Sequence, residues 1–219
     1  VSGASGLALT IAPELRDAPG VLEAFSRTAL EARRLAPLVR ALQRTPAETH
    51  ILYSSSSKIF DDGDPHLASA QFAYEGCSFS GHAVRFVTER QLAENTFGSM
   101  RALVMPETPA ITDSAFKALA DFVEKDGTVL RVGNPIPYNE RGHSRTNVIR
   151  NTENTVLVRG MNMPTEYLHA MDAAVQQGSL PAIPRPINTH GYPLEGVLTR
   201  HVVHDGVHYL FCVNLRKDP

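Results

Sequence analysis

The run from Arg101 to Gly133 limits the fold more than any other part of the chain. Arg-Ala-Leu-Val-Met-Pro-Glu leads into Thr-Pro-Ala-Ile-Thr-Asp, then Ser114 to Lys125, then Asp-Gly-Thr-Val-Leu-Arg-Val-Gly. Leu103, Val104 and Met105 form a short apolar run stopped by Pro106, the pattern of a strand buried on both faces. Thr112 or Asp113 can cap a helix whose Phe116, Leu119, Phe122 and Val123 recur at helical spacing. Lys125 suits the last turn, and Asp126-Gly127 supplies the stop. Thr128 to Val132 then resumes a buried strand. A strand–helix–strand unit of this length requires a right-handed crossover, so its two strands are expected to be parallel neighbours.

The flanking sequence repeats that grammar. Thr49 to Tyr53 reads as a strand opening into Ser54-Ser-Ser-Ser-Lys58. His66 to Phe79 reads as a helix with Leu67, Ala70, Tyr74 and Cys77 in line, stopped at Gly81. Ala83 to Val87 is a second strand, and Glu89 to Glu94 a short helical turn. A polar loop follows from Asn134 to Thr146. Thr155 to Val158 is a fifth strand, and Pro164 opens a helix that buries Tyr167, Leu168, Met171 and Val175 and stops at Gly178. Strands alternating with helices over residues 47–180 predict an α/β three-layer sandwich with a mostly parallel sheet, of the flavodoxin-like kind.

Two appendages flank this core. Residues 1–46 carry a strand-like run, Leu7 to Ile11. A long helix then spans Val21 to Gln43, with Leu22, Phe25, Ala29, Ala32, Leu35, Val39 and Leu42 on one stripe. Thr45-Pro46 ends it. Residues 181–219 begin as a linker with Pro181, Pro184, Pro186 and Pro193. A hairpin follows, in which Val197 to His204 and Val207 to Asn214 flank Asp205-Gly206. A lone hairpin is marginal in water, so it either packs on the α/β core or begins a further β-domain.

Totals exclude several classes. At 219 residues the chain suits one large domain or a domain with appendages. Its 21 basic and 23 acidic residues give a net charge of −2, without the basic excess of a nucleic-acid binder. No apolar run approaches the roughly 20 residues a bilayer requires. Cys77 and Cys212 make no disulfide framework and read as semi-buried thiols, favouring a reducing, cytoplasmic setting. A chain that opens on Val1 without a leader reads as processed or as a piece of a longer one.

Ligands of an open parallel sheet sit at the carboxyl ends of its strands, which selects the loops at Ser54, Glu107, Gly133 and Gly160. The Ser54–Lys58 run has hydroxyls for a phosphate but no glycine until Gly63, and Asp61, Asp62 and Asp64 would repel an anion. It is expected to be a solvated turn. Gly76-Cys-Ser-Phe-Ser80 nearly spells a nucleophile elbow but lies at a helix end, so Cys77 is expected in the core. The elbow position of a Cys-dependent amidotransferase of this fold falls at Gly133-Asn134-Pro135, and asparagine is no acyl nucleophile. In the hairpin, His201 and His208 share a face while His204 points away, which leaves no three-histidine zinc site. Glu107, Glu140 and Glu153 specify no glycosidase carboxylate pair. No catalytic, cofactor or metal residues are assigned. Glu107, Asn134, Glu140, Arg141, His143 and Arg145 remain as lining for a polar cleft or a subunit interface.

The order of elements resembles a known family. Leu103-Val-Met-Pro-Glu, Ile111-Thr-Asp and Leu119-Ala-Asp-Phe-Val-Glu-Lys-Asp-Gly-Thr-Val-Leu resemble the glutamine-amidotransferase-like trimerisation domain of family 42 β-galactosidases. His50-Ile-Leu-Tyr-Ser-Ser-Ser-Ser looks like that domain's opening strand. Arg27-Thr-Ala-Leu-Glu-Ala-Arg-Arg-Leu-Ala-Pro-Leu looks like the helix leaving the catalytic barrel. Gly206-Val-His-Tyr-Leu-Phe-Cys-Val-Asn-Leu looks like the entry to a β-sandwich. The resemblance implies a parent glycosidase whose two catalytic glutamates lie on a barrel before Val1, and a domain here that keeps the amidotransferase fold without its nucleophile. Its partners would be other copies of itself and the barrel, with a carbohydrate as a further candidate. Two alternatives stay open: an independent flavin or small-ligand binder, and an inactive amidotransferase-like sugar sensor.

Overall fold

A computed structural model describes residues 20–60, 65–133, 136–147, 149, 151–159, 162–191, 193–194 and 196–215. The described residues form two compact units, 20–45 with 200–211 and 46–199 with 212–215.

The larger unit is built on five parallel strands: β1 (Thr49–Tyr53), β2 (Val84–Thr88), β3 (Ala102–Met105), β5 (Thr128–Val132) and β7 (Thr155–Val158). They lie in the order β2-β1-β3-β5-β7. The register places Ile51 beside Phe86 and Val104, and Leu130 beside Val156. Counting these five alone, the order is 2-1-3-4-5, the flavodoxin-like arrangement with its switch point between β1 and β3. The expected α/β sandwich is therefore present.

Alternation along the strands sends side chains to two cores. Ile51, Val104, Leu130, Val156 and Val158 meet α3 (Pro65–Phe79) and α6 (Pro164–Gln176) through Ala73, Cys77, Tyr167, Met171 and Ala174. On the other face Leu52, Val87, Leu103 and Val129 meet α4 (Glu89–Glu94) and α5 (Asp113–Glu124) through Leu92, Ala115, Leu119 and Val123. Thr112 is the cap of α5, its Oγ1 accepting from the Ala115 amide at 3.3 Å. The helix stops because Asp126 turns left-handed at φ 61° and Gly127 passes under the Phe122 ring, where a Cβ would collide.

Three details depart from the sequence reading. Ser54–Lys58 is not a solvated turn: α2 (Ser55–Phe60) starts there, with Ser54 and Ser57 buried. Tyr74 does not face inward but stacks on Phe86 of the edge strand, both rings exposed. A two-residue pairing of β4 (Ala110–Ile111) with β6 (Tyr138–Asn139) lies inside segments read as loop. The Leu7–Ile11 strand falls outside the described residues.

The smaller unit holds α1 (Val21–Arg44) and the middle of the hairpin formed by β8 (Val197–His204) and β9 (Val207–Asn214). None of the 24 residues of α1 is buried, and Leu22, Phe25 and Leu30 are 60%, 42% and 65% exposed. The hairpin turns on Asp205 and Gly206, with φ of 50° and 75°, the paired positive values of a tight two-residue loop. Among the described residues no helix is long and apolar enough to cross a membrane.

Candidate functional site

The carboxyl edge at the β1/β3 switch point is where this fold receives ligands. Here the chain's own side chains fill it. Thr88 closes β2 as the cap of α4, in a reciprocal box with Gln91 that sets Glu89 at the first helical position. Glu89 turns across to the end of β1. Its Oε1 accepts from Ser54 Oγ (2.8 Å) and the Ser56 amide (2.9 Å), and its Oε2 from Ser56 Oγ (3.0 Å) and the Thr112 amide (2.7 Å). Burial raises the affinity of this carboxyl for a proton, but the four donors outweigh it and hold the group below the usual carboxylate range. Among the described residues this buried anion makes no ion pair and is stabilised by hydrogen bonds.

The hydroxyls around it are committed as well. Ser54 Oγ also lies 2.8 Å from the Ala110 carbonyl and accepts from the Ser57 amide at 2.9 Å. Ser57 Oγ donates to that same carbonyl and accepts from the Ala110 amide, locking β4 to α2. Beside them the Ser54 amide donates to His66 Nε2 at 2.9 Å. That leaves His66 Nδ1–H to donate to the Glu107 carbonyl at 2.7 Å. Burial holds the His66 imidazole neutral, with its pKa lowered. Both ring nitrogens are hydrogen-bonded, and Ser54 is fully buried.

Glu107 follows β3 and Pro106. Its amide donates to Ser69 Oγ at 3.0 Å, and Ser69 Oγ pairs with the Tyr167 hydroxyl at 2.6 Å. Burial, with smaller contributions from Cys77 and the Glu107 charge, pushes the Tyr167 phenol up to about 12, against the Ser69 hydrogen bond. Glu107 Oε2 is buried and has no hydrogen-bond partner among the described residues. It is the exception in an otherwise satisfied corner.

The other expected site residues divide into two groups. Glu140 and Arg145 come together at the start of α5. Glu140 Oε2 accepts from the Asp113 amide at 3.1 Å, a carboxylate on a helix N-terminus. Arg145 is ion-paired to Asp113, donates to the Ile111 carbonyl (2.7 Å) and the Tyr138 carbonyl (3.2 Å), and lies 4.4 Å over the Phe116 ring. With its side chain 10% exposed, this guanidinium ties the 138–145 loop to α5. Arg141 and His143 stand exposed on the loop's outer side, their amides both donating to Asn139 Oδ1 at 3.0 Å. Asn134 and Gly160 lie outside the described residues. Between β3, β5 and α5 a cavity of about 30 Å³, lined by Met105, Leu119, Val129, Arg131 and Ile136, has room for a water molecule and not for a sugar ring.

Sequence reasoning missed Ser54, Ser57, His66, Ser69, Glu89 and Tyr167. A signal existed for Glu89: Thr88-x-x-Gln91 sets it at the end of β2, and a 2-1-3 strand order brings that end beside β1.

The chain shares its fold with part of larger glycosidases. An exo-carrageenase of family GH42 from Bacteroides ovatus superposes with a TM-score of 0.69 at 21% identity over 90% of this chain and 27% of that one. A β-galactosidase from Bacillus circulans sp. alkalophilus gives 0.60 at 12% identity, over 91% of this chain and 40% of that one. A β-galactosidase from Rahnella sp. R3 gives 0.56 at 13%, over 88% and 40%. This chain thus spans between about a quarter and two fifths of the enzymes it resembles. At these identities the likeness establishes the fold. No protein-family model and no curated protein matches the sequence.

Proposed function

We propose that this chain is a non-catalytic assembly and bracing domain of a multidomain, β-galactosidase-like glycoside hydrolase. Residues 47–180 would be its amidotransferase-like, trimerisation-type core, residues 1–46 the exit from a catalytic barrel, and residues 181–219 the start of a β-sandwich. Its partners would be that barrel and further copies of itself. The parent's substrate would be a β-galactoside, the class for which two of the three enzymes of the same fold are named.

The observation that carries this reading is α1. A helix of 24 residues with an apolar stripe and no buried residue gains little from its own chain, so its stability is expected to come from a covering body. The filled corner supports the non-catalytic half, since Glu89 and the serines already occupy the place where this fold receives a ligand. Light scattering coupled to gel filtration tests the assembly, with self-association expected as concentration rises. A chain that stays monomeric over a wide concentration range sinks the self-assembly part. Turnover of an aryl galactoside by the chain alone would sink the non-catalytic part.

One observation favours a second reading, a sensor for a sugar or acid: the buried Glu107 Oε2, without a partner among the described residues, would accept from a ligand hydroxyl. A thermal-shift panel of sugars tests it, and an unchanged melting temperature across the panel removes it. An independent flavin protein finds less support, because a phosphate at the β1 loop would have to displace Glu89. A flavin absorption band on purification would restore it.

A further inference from the structure

The exposed face of the hairpin carries a pair of imidazoles that the fold and the proposed role leave unexplained. Val202 is 5% exposed while Val203 is 50% exposed, so alternate residues of β8 face the protein and the solvent. His201 lies on the open face with Val203, and a two-residue turn brings His208 of β9 onto that face diagonally opposite. Their rings stack with centroids 5.1 Å apart and planes 22° from parallel, and His201 Nε2 lies 3.0 Å from His208 Nδ1. His204 is excluded from the pair, lying instead 3.6 Å from the Asp205 carboxylate.

We propose that His201 and His208 form a two-imidazole chelate for a divalent transition-metal ion of the tetragonal, nitrogen-preferring class, Cu²⁺ or Ni²⁺. The donors point to the class, since imidazole nitrogens suit Cu²⁺ and Ni²⁺ and Cu²⁺ binds such donors most tightly of the divalent ions. The separation is compatible with it. Two metal–nitrogen bonds of about 2.0–2.1 Å spanning 3.0 Å enclose about 94°, a cis angle of square-planar or octahedral coordination. A tetrahedral ion such as Zn²⁺ would hold the same nitrogens about 3.3 Å apart. In the metal-free pair one nitrogen donates a shared hydrogen to the other. A tautomer shift of the donating ring alone, moving its hydrogen to its far nitrogen, leaves a lone pair on each of the two facing nitrogens for the ion. Among the described residues no group of three or more candidate ligands occurs, so the pair alone is the proposed ligand set. Two strands stiffen the ligand spacing, and the ion in turn cross-links a hairpin that has little cover of its own.

The test is a titration of the full 219-residue chain with CuCl₂ and with NiCl₂, followed by calorimetry and, for Cu²⁺, by electron paramagnetic resonance. One equivalent of Cu²⁺ is expected, with hyperfine structure from two nitrogens and binding tighter than that of Ni²⁺, in the usual order of divalent affinities. His201→Ala and His208→Ala are each expected to weaken Cu²⁺ at least tenfold, while His204→Ala leaves it unchanged. His201→Asn and His208→Asn, with thermal melts, separate loss of a ligand from loss of the hairpin. Absence of one-equivalent binding, or binding that survives both His201 and His208 substitutions, overturns the assignment.

Discussion

Glu89→Gln is the sharpest probe of the filled corner. Each carboxylate oxygen of Glu89 receives one backbone amide, Ser56 on Oε1 and Thr112 on Oε2. Hydroxyls can rotate to donate or accept, but these two amides cannot. Whichever way a glutamine side chain is placed, its NH₂ group must face one of them, leaving a buried N–H without an acceptor. An orphaned donor of this kind costs about 1–3 kcal/mol, so a loss near 2 kcal/mol is expected. For a chain of this size that lowers the melting temperature by roughly 4–8 °C at neutral pH. The charge adds a signature that a packing defect would lack. The folded carboxyl titrates below the ordinary value of 4.5, so its contribution is complete above that value and is lost as pH falls through the lower, folded one. The gap between wild type and Glu89→Gln, followed by calorimetry, is therefore expected to hold from pH 7 to about pH 5 and to narrow below 4.5. A variant that melts within a degree of wild type at pH 7, or a gap that does not narrow in acid, would refute the account of Glu89 as a buried, hydrogen-bonded anion.

Three further outcomes follow from other contacts. A thiol reagent added to the native chain is expected to modify Cys212, which is exposed, and to spare Cys77, which is fully buried with its pKa driven up by that burial; reaction of both thiols before unfolding would contradict the core placement. Arg145→Lys keeps the charge near Asp113 but loses the fork to the Ile111 and Tyr138 carbonyls and the plane over Phe116. A loss of about 1–2 kcal/mol, with faster protease cleavage in the 138–145 loop, is expected, and unchanged cleavage would show that the loop is held otherwise. Gly76→Ala would put a methyl group onto the Pro164 carbonyl and 2.8 Å from Tyr167 Cβ, so α3 and α6 must separate. A cost of about 3 kcal/mol is expected by chemical denaturation, and a tolerated substitution would mean that the two helices do not approach so closely.

The α/β core was legible in the sequence because each of its elements carries a local signal. Leu103-Val-Met-Pro and Thr128 to Val132 are too short and too apolar to be anything but buried strands, and the helix between them announces its cap at Thr112 or Asp113 and its stop at Asp126-Gly127. The same holds for Pro164 at the head of α6 and for Asp205-Gly206 in the hairpin. The diagonal pairing of His201 with His208 also followed, since a two-residue turn dictates which strand positions share a face. Tyr74 was misplaced because periodicity identifies a stripe, while the width of that stripe depends on what lies above it. At the sheet edge beside Phe86 nothing buries the ring.

The corner at the switch point was not legible. The Ser54–Ser56 run, Glu89 and Thr112 are far apart in the chain, and a serine run after a strand reads the same whether it faces water or a carboxylate. What the residues determine alone is the set of strands and helices, because hydrogen bonding and apolar periodicity are local. What only the tertiary structure decided is that β2 lies beside β1, which brings Glu89 over the Ser54 loop. There a buried anion persists because four donors converge on it, two of them fixed backbone amides, and that convergence exists only once the strand order is set.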